Sequence, residues 1–189
     1  SCDGVSSLRR CGRSFPIVTK AAPSSDKPKD KPRLLFLKGM ILAVIAIVLD
    51  QASKGWILED VMIPPRVIEI TSNFNLVLGM NRGVSFGLFN QDSAYGPYIL
   101  TGVAVAITIG LSIWLWKSST HWAALALGLV IGGAIGNVID RIQYGAVVDF
   151  LDFHAFGYHW PAFNVADSAI CVGAVLLILE SLFIRDESS

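Results

Sequence analysis

Polar positions are scarce along most of this chain, and the intervals between them are too long for a soluble amphipathic helix. Four apolar runs stand out: LLFLKGMILAVIAIVLDQASKGWIL (34–58), PYILTGVAVAITIGLSIWLW (97–116), HWAALALGLVIGGAIGNVIDRI (121–142) and NVADSAICVGAVLLILESLFI (164–184). Each approaches the roughly 20 residues that a helix needs to cross a hydrocarbon core about 30 Å thick. The pattern therefore predicts a mainly α membrane protein whose four transmembrane helices cover about 36–58, 97–116, 121–142 and 164–184, in a domain of residues 34–185. The apolar core of the first run is too long for a cleaved signal peptide and no small-residue cleavage site follows it, so it is expected to stay. Trp56, Trp114, Trp116, Trp122 and Trp160 fall at or near the predicted ends, where indole rings favour the membrane interface.

The segments between the runs have a different rhythm. RVIEITSNFNLVLGMNRGVSFGLF (66–89) alternates β-branched and aromatic residues with Asn and Gly. It predicts short strands with turns at Asn73, Gly79 and Arg82–Gly83, giving a small sheet from the 1–2 loop (59–96) with an aromatic face suited to lipid. QYGAVVDFLDFHAFGYHWPAF (143–163) mixes aromatics with two acids and is expected to lie along the interface. Residues 1–33, rich in Ser, Pro, Lys and Asp without periodicity, are expected to form a disordered basic tail, whose contact with an anionic leaflet is a secondary reading.

Composition agrees with a membrane protein: 53% of residues are hydrophobic and 16% charged, where a soluble domain carries about 25% charged residues. The net charge of +0 conceals an asymmetry, because nine of the 15 Lys and Arg lie in residues 1–38, and Lys117 and Arg185 extend the same side. The positive-inside rule then puts both termini in the cytoplasm and the two long loops outside. Cys2 and Cys11 in the tail and Cys171 in an apolar helix offer no disulfide framework. His154 and His159 are five apart with no carboxylate or thiol at metal spacing in the sequence, so metal chemistry is not expected. Gly128, Gly132 and Gly136 form a small-residue stripe that suits close helix packing.

Charges inside spans are rare and call for a partner or a purpose. With the predicted topology, Asp50 and Lys54 on helix one, Asn137, Asp140 and Arg141 on helix three, and Asn164 and Asp167 on helix four all fall in one leaflet. Structural explanations stand beside functional ones for each. Asp50 and Lys54 have the i, i+4 spacing of an intrahelical ion pair, Asp140 and Arg141 suit an end-of-helix pair, and Asn164 with Asp167 suits capping of helix four. Asp149, among Val147, Val148, Phe150 and Leu151, has no cation near it in sequence. If its loop folds back over the bundle it meets Asp167, and two adjacent carboxylates can share a proton. Gly83-Val84-Ser85-Phe86-Gly87 fits the nucleophile pattern G-x-S-x-G. It lacks the strand–turn–helix context and an activating His, so Ser85 is not read as a nucleophile.

Five blocks, DQASK (50–54), NRGVSFG (81–87), GGAIGNVIDR (132–141), VVDF (147–150) and FNVAD (163–167), resemble in order and spacing those of bacterial lipoprotein signal peptidase, signal peptidase II, over about residues 34–184. The resemblance implies an intramembrane aspartyl endopeptidase of the inner membrane, with four helices, an outer β-cradle and an interfacial segment between helices three and four. Its substrates would be prolipoproteins, cut before the diacylglyceryl-modified cysteine, and it would use no cofactor or metal. Matched block by block, the catalytic dyad falls on Asp149 and Asp167. Supporting positions fall on Asp50, Lys54, Asn81, Gly83, Asn137, Asp140, Arg141 and Asn164. The long tail departs from the family pattern. The alternatives from residues alone are a small ion- or proton-coupled transporter and a lipid-binding scaffold without turnover.

Overall fold

In a computed structural model, which describes residues 32–83 and 96–186, the chain forms four long helices and one four-stranded sheet. Helix α1 (Pro32–Trp56) runs into a π-helical turn (Ile57–Val61), followed by strands β1 (Ile68–Thr71) and β2 (Phe74–Asn81). Helices α2 (Gly96–Trp116) and α3 (His121–Tyr144) follow, then strands β3 (Val147–Ala155) and β4 (Tyr158–His159), and finally α4 (Val165–Asp186). All four helices are long and apolar enough to cross a membrane. Helices α1, α2 and α4 display Val44, Val48, Val103, Ile107, Ile113, Val172 and Ile178 on their outer surfaces, an arrangement that water would penalise and hydrocarbon accepts.

Helix α3 is the centre of the bundle. Its stripe of small residues lets α1 approach so closely that a Cβ on Gly132 would stand 2.6 Å from the Ala43 carbonyl oxygen and 2.8 Å from Ala46 Cβ. On α4, a Cβ on Gly173 would meet the Ala126 carbonyl oxygen of α3 at 2.6 Å. Without a hydrophobic driving force between helices in lipid, such backbone proximity supplies the van der Waals contact that holds the spans together. Leu35, Ala43, Leu115, Ala124, Leu127 and Ile131 fill one end of the bundle, where Phe36 meets Trp116 edge-on at 5.0 Å. Thr120 caps α3 there and also bonds Glu180 of α4.

The sheet covers the other end. It has the order β1-β2-β3-β4, antiparallel throughout. From sequence the sheet was expected from the 1–2 loop; that loop supplies β1 and β2, and the 3–4 segment adds the other two strands. Asn73 does sit in the β1–β2 turn, whereas Gly79 lies inside β2. It marks the end of a bulge, where Val77 and Leu78 of β2 face Phe150 alone between the pairs Leu76–Leu151 and Gly79–Asp149. Gly145, left-handed at φ 69°, ends α3 and turns the chain directly into β3. Phe74, Phe153 and Phe163 stack on one face of the sheet, and Ile57, Met62 and Phe150 bury its contact with the end of α1.

Replacing Gly132 by Val should cost roughly 1–3 kcal/mol or more through overpacking against α1, read as a lower thermal midpoint in detergent. Gly110→Ala, where a Cβ meets nothing within 4 Å, should leave that midpoint unchanged.

Candidate active site

Helix α1 brings Asp50, Gln51 and Lys54 to the sheet-covered end of the bundle. Lys54 Nζ lies 2.8 Å from Asp50 Oδ2 and 2.7 Å from Asp140 Oδ2 on α3. All three charged residues are at most 2% exposed, so an unmatched ammonium or carboxylate here would be costly. Both acids accept further hydrogen bonds. Asp50 Oδ1 accepts the Ala166 N–H at 2.9 Å, and Asp140 Oδ2 accepts the Val148 N–H at 3.0 Å. Gln51 Nε2 bridges the two acids, at 3.1 Å from Asp50 and 2.9 Å from Asp140. Gly136 makes room for this cluster, since a Cβ would stand 2.5 Å from Asp50 Oδ2.

The two backbone anchors have a consequence for the chain beyond them. Ala166 immediately precedes Asp167, and Val148 immediately precedes Asp149. One lysine and its two carboxylates therefore pin the residue next to each member of the expected dyad.

A layer of asparagines lies above this lock. Asn137 Oδ1 accepts from Lys54 Nζ and from Asn164 Nδ2, both at 3.2 Å, so its amide N–H is left to face Asp167 Oδ1 at 2.8 Å. Asn164, wholly buried, caps α4 by accepting the Asp167 N–H at 2.9 Å. Its Nδ2 is thereby turned to Asp149 Oδ1 at 2.8 Å and the Val148 carbonyl at 3.2 Å. Asn81 Oδ1 accepts the Gly83 N–H at 2.8 Å, and its Nδ2 donates to Asp149 Oδ2 at 3.0 Å. In each amide the oxygen is already committed, so the nitrogen must point at a carboxylate. The β2 bulge makes the Asn81 contact possible: the extra residue reverses the facing of every later β2 side chain, and Asn81 comes to lie on the Asp149 side.

Asp149 is 3% exposed. Burial pushes its carboxyl up to about 6, the nearby Asp167 charge adds to the rise, and the Asn81 and Asn164 hydrogen bonds and the Lys54 charge oppose it. Asp167, half-buried, sits in the first turn of α4. Arg141 does not take Asp140 as its hydrogen-bond partner. Adjacent helical residues point about 100° apart; Asp140 meets Lys54, while Arg141 Nη1 donates to the Asn137 carbonyl at 3.2 Å. Its charge still acts on Asp167, Asp140 and Asp149, and its buried Nε–H has no acceptor among the described residues. Gly83, at φ 90°, leaves no room for a side chain against Leu100 of α2.

Asp50, Lys54, Asn137, Asp140, Arg141, Asn164, Asp149, Asp167, Asn81 and Gly83 thus all lie at one end of the bundle. Gln51 and the Ala166 and Val148 amides were not picked out from sequence; a glutamine in an apolar run was the available signal for the first, and backbone groups leave none. Ser85 lies outside the described residues. One expectation is corrected. His154 and His159 do have a carboxylate beside them, because alternation puts Asp152 on the same face as His154 and antiparallel pairing sets His159 opposite His154.

Most of the chain is similar to known proteins. The family described as Signal peptidase (SPase) II matches residues 42–183. A lipoprotein signal peptidase of Methylorubrum extorquens is 46% identical over 150 residues, covering 78% of this chain and 86% of its own length. One from Ralstonia nicotianae is 50% identical over 143 residues, covering 75% and 82%. Two solved structures of bacterial membrane enzymes, determined by the in meso method at 2.3 and 1.9 Å resolution, superpose with TM-scores of 0.69 and 0.66. They are 28% and 30% identical and cover 80% and 76% of this chain and 91% and 92% of their own. The family match takes in the charged lock, the asparagine layer and both aspartates, and with relatives of this identity and coverage it shows that the chain belongs to the signal peptidase II family, a multi-pass membrane peptidase of the aspartic type.

Proposed function

We propose that this protein is an intramembrane aspartic endopeptidase that removes signal peptides from prolipoproteins, cutting before the diacylglyceryl-modified cysteine, with Asp149 and Asp167 as its dyad. The observation that carries this reading is the asparagine layer, which aims one amide N–H at Asp167 and two at Asp149 while a buried ion cluster pins the residue before each. Side chains held this way are preorganised for proton transfer. A transporter finds no support: apart from Lys38 and Glu180 near the opposite end, the charged groups of the spans gather at the dyad end, and apolar side chains fill the bundle between.

Asp149, buried beneath the sheet, holds the proton at the start, and Asp167 is the base. Asp167 takes a proton from water as the water oxygen bonds to the scissile carbonyl carbon. Asp149 donates to the developing oxyanion. Collapse of the tetrahedral intermediate breaks the C–N bond, and the leaving amine takes a proton from the dyad. The free Arg141 Nε–H suits a carbonyl of the bound peptide. We place the dyad at the outer leaflet with both termini in the cytoplasm, since Lys38 and Lys117 lie at the opposite end of the bundle from the dyad and most other basic residues precede α1. The lipid chains of the substrate then stay in the bilayer while the peptide enters between helices.

Asp149→Asn and Asp167→Asn should each lower cleavage of a diacylglyceryl-modified precursor peptide by about a thousandfold, within the range of lost acid–base catalysis, while membrane insertion persists. Ser85→Ala should stay active; the reverse pattern overturns the assignment. The raised Asp149 value means that its proton is kept below about pH 6 and lost above it. In the free enzyme kcat/KM should therefore fall as pH rises through that region, a profile measurable with the same peptide. The sign for stability is the same: the folded state holds this proton more tightly than the unfolded chain, so Asp149's contribution is full below about 4 and lost as pH rises through about 6. The thermal midpoint of Asp149→Asn should gain on that of the parent across the same window. Lys54→Met should cost about 3–5 kcal/mol by stranding two carboxylates, and adding Asp140→Asn should recover part of the loss.

A further inference from the structure

The β3–β4 hairpin carries a second constellation that the dyad chemistry does not use. Asp152, His154 and His159 each present a ligand atom within 4.8 Å of the other two. The His154 and His159 rings are stacked, with centroids 4.7 Å apart and planes 13° from parallel. His159 Nδ1 lies 3.0 Å from both carboxylate oxygens of Asp152. The acid is 6% exposed and fixed from β2 by Asn75 Nδ2 at 3.0 Å, the same nitrogen lying 3.4 Å from His154 Nδ1. Asn75 is itself 7% exposed, and its Oδ1 is buried without a partner.

A structural ion pair accounts for only part of this. A contact between an exposed His and a buried Asp at the sheet surface is worth on the order of 1 kcal/mol, and it gives no reason for a second imidazole to stack on the first. It also leaves a buried amide oxygen unmet, at a cost of roughly 1–3 kcal/mol. A cation accounts for the paired imidazoles directly, and meets the amide oxygen once Asn75 turns toward it and gives up its bond to Asp152. Two neutral imidazoles and a carboxylate are the donor set that borderline d-block ions favour. A half-turn of the Asn75 amide exchanges its nitrogen and oxygen and would offer Oδ1 as a fourth donor. Donors around tetrahedral zinc lie about 3.4 Å apart, given bonds of 2.0–2.2 Å, so a cluster already within 4.8 Å need close by at most about 1.4 Å, within reach of side-chain rotation at His159 on its two-residue strand.

We propose that Asp152, His154 and His159 form a binding site for a divalent d-block cation of the Zn2+ type. The bound ion ties β4 to β3 and, through Asn75, to β2, stiffening the sheet three residues along β3 from Asp149. The site is independent of the peptidase reading.

The test is Zn2+ binding to the full chain in detergent after removal of metal with a chelator, followed by competition with a chromophoric chelator. We expect one tightly held equivalent and a raised thermal midpoint. His154→Ala and His159→Gln should each weaken binding at least a hundredfold, while His121→Ala leaves it intact. Co2+ in place of Zn2+ should give the visible bands of a four-coordinate N/O site in the parent and lose them in His159→Gln. Because the His159 side chain is more than half exposed, this variant should fold, which unchanged far-UV circular dichroism would verify. Absence of a tight equivalent, or an equivalent retained by both hairpin histidine variants, overturns the proposal; the latter result would assign the ion to cysteines or another site.

Discussion

One ammonium group, buried between two carboxylates inside an apolar bundle, sets the geometry of everything above it. Each of the three ions gives up several kcal/mol of hydration, and attraction at 2.7–2.8 Å returns a similar amount, so the net stabilisation is small. The large term is the penalty for separating them. Sliding or rotating α1 against α3 would break the close backbone contact at the glycine stripe, and it would also leave a charge unmatched in hydrocarbon. The ion cluster is therefore a register device, and the glycine stripe, which brings the backbones close enough for Lys54 to reach α3, is its precondition.

That register propagates by single hydrogen bonds. Asp50 Oδ1 and Asp140 Oδ2 take the N–H groups of Ala166 and Val148, and the next residue in each case is an aspartate. The amides of Asn137 and Asn164 then carry the same order one layer further, because an amide whose oxygen is occupied has no freedom in where its nitrogen points. Two carboxylates eighteen positions apart in sequence are held by a network whose members lie on three helices and two strands. Satisfied networks of this kind are rigid, which suits the proton transfer proposed for the two acids.

How much of this the sequence disclosed depends on range. Helix spans follow from apolar length alone, and the Asp50–Lys54 pair from its spacing, because both are local. The separation of Asp140 from Arg141 is a matter of helical phase, visible in principle but decided by where Lys54 arrives from another helix. The pairing of β2 with β3 joins residues about 70 positions apart and leaves no local trace, so the sheet was expected from one loop only. The Asp152–His154–His159 cluster was missed for the same reason: its spacing in sequence is uninformative until the hairpin folds. Ser85 illustrates the converse, a local pattern that matches a catalytic motif without the surrounding structure that would make it one.

The bulge in β2 joins fold to chemistry most directly. Unbulged, the ladder would set Leu78 opposite Asp149 and turn Asn81 to the far face of the sheet, because a shift of one residue inverts every side chain beyond it. With the extra residue, Gly79 lies opposite Asp149 and Asn81 reaches it diagonally. The sheet thus removes Asp149 from water, raising its carboxyl to about 6, while supplying in Asn81 one of the two amides that oppose the rise. A lid that only buried the acid would push its carboxyl higher still, and one that only hydrogen-bonded it would leave it ionised. The strand irregularity lets one small sheet do both, so the acidity of Asp149 is a property of β-strand register as much as of its neighbours in the bundle.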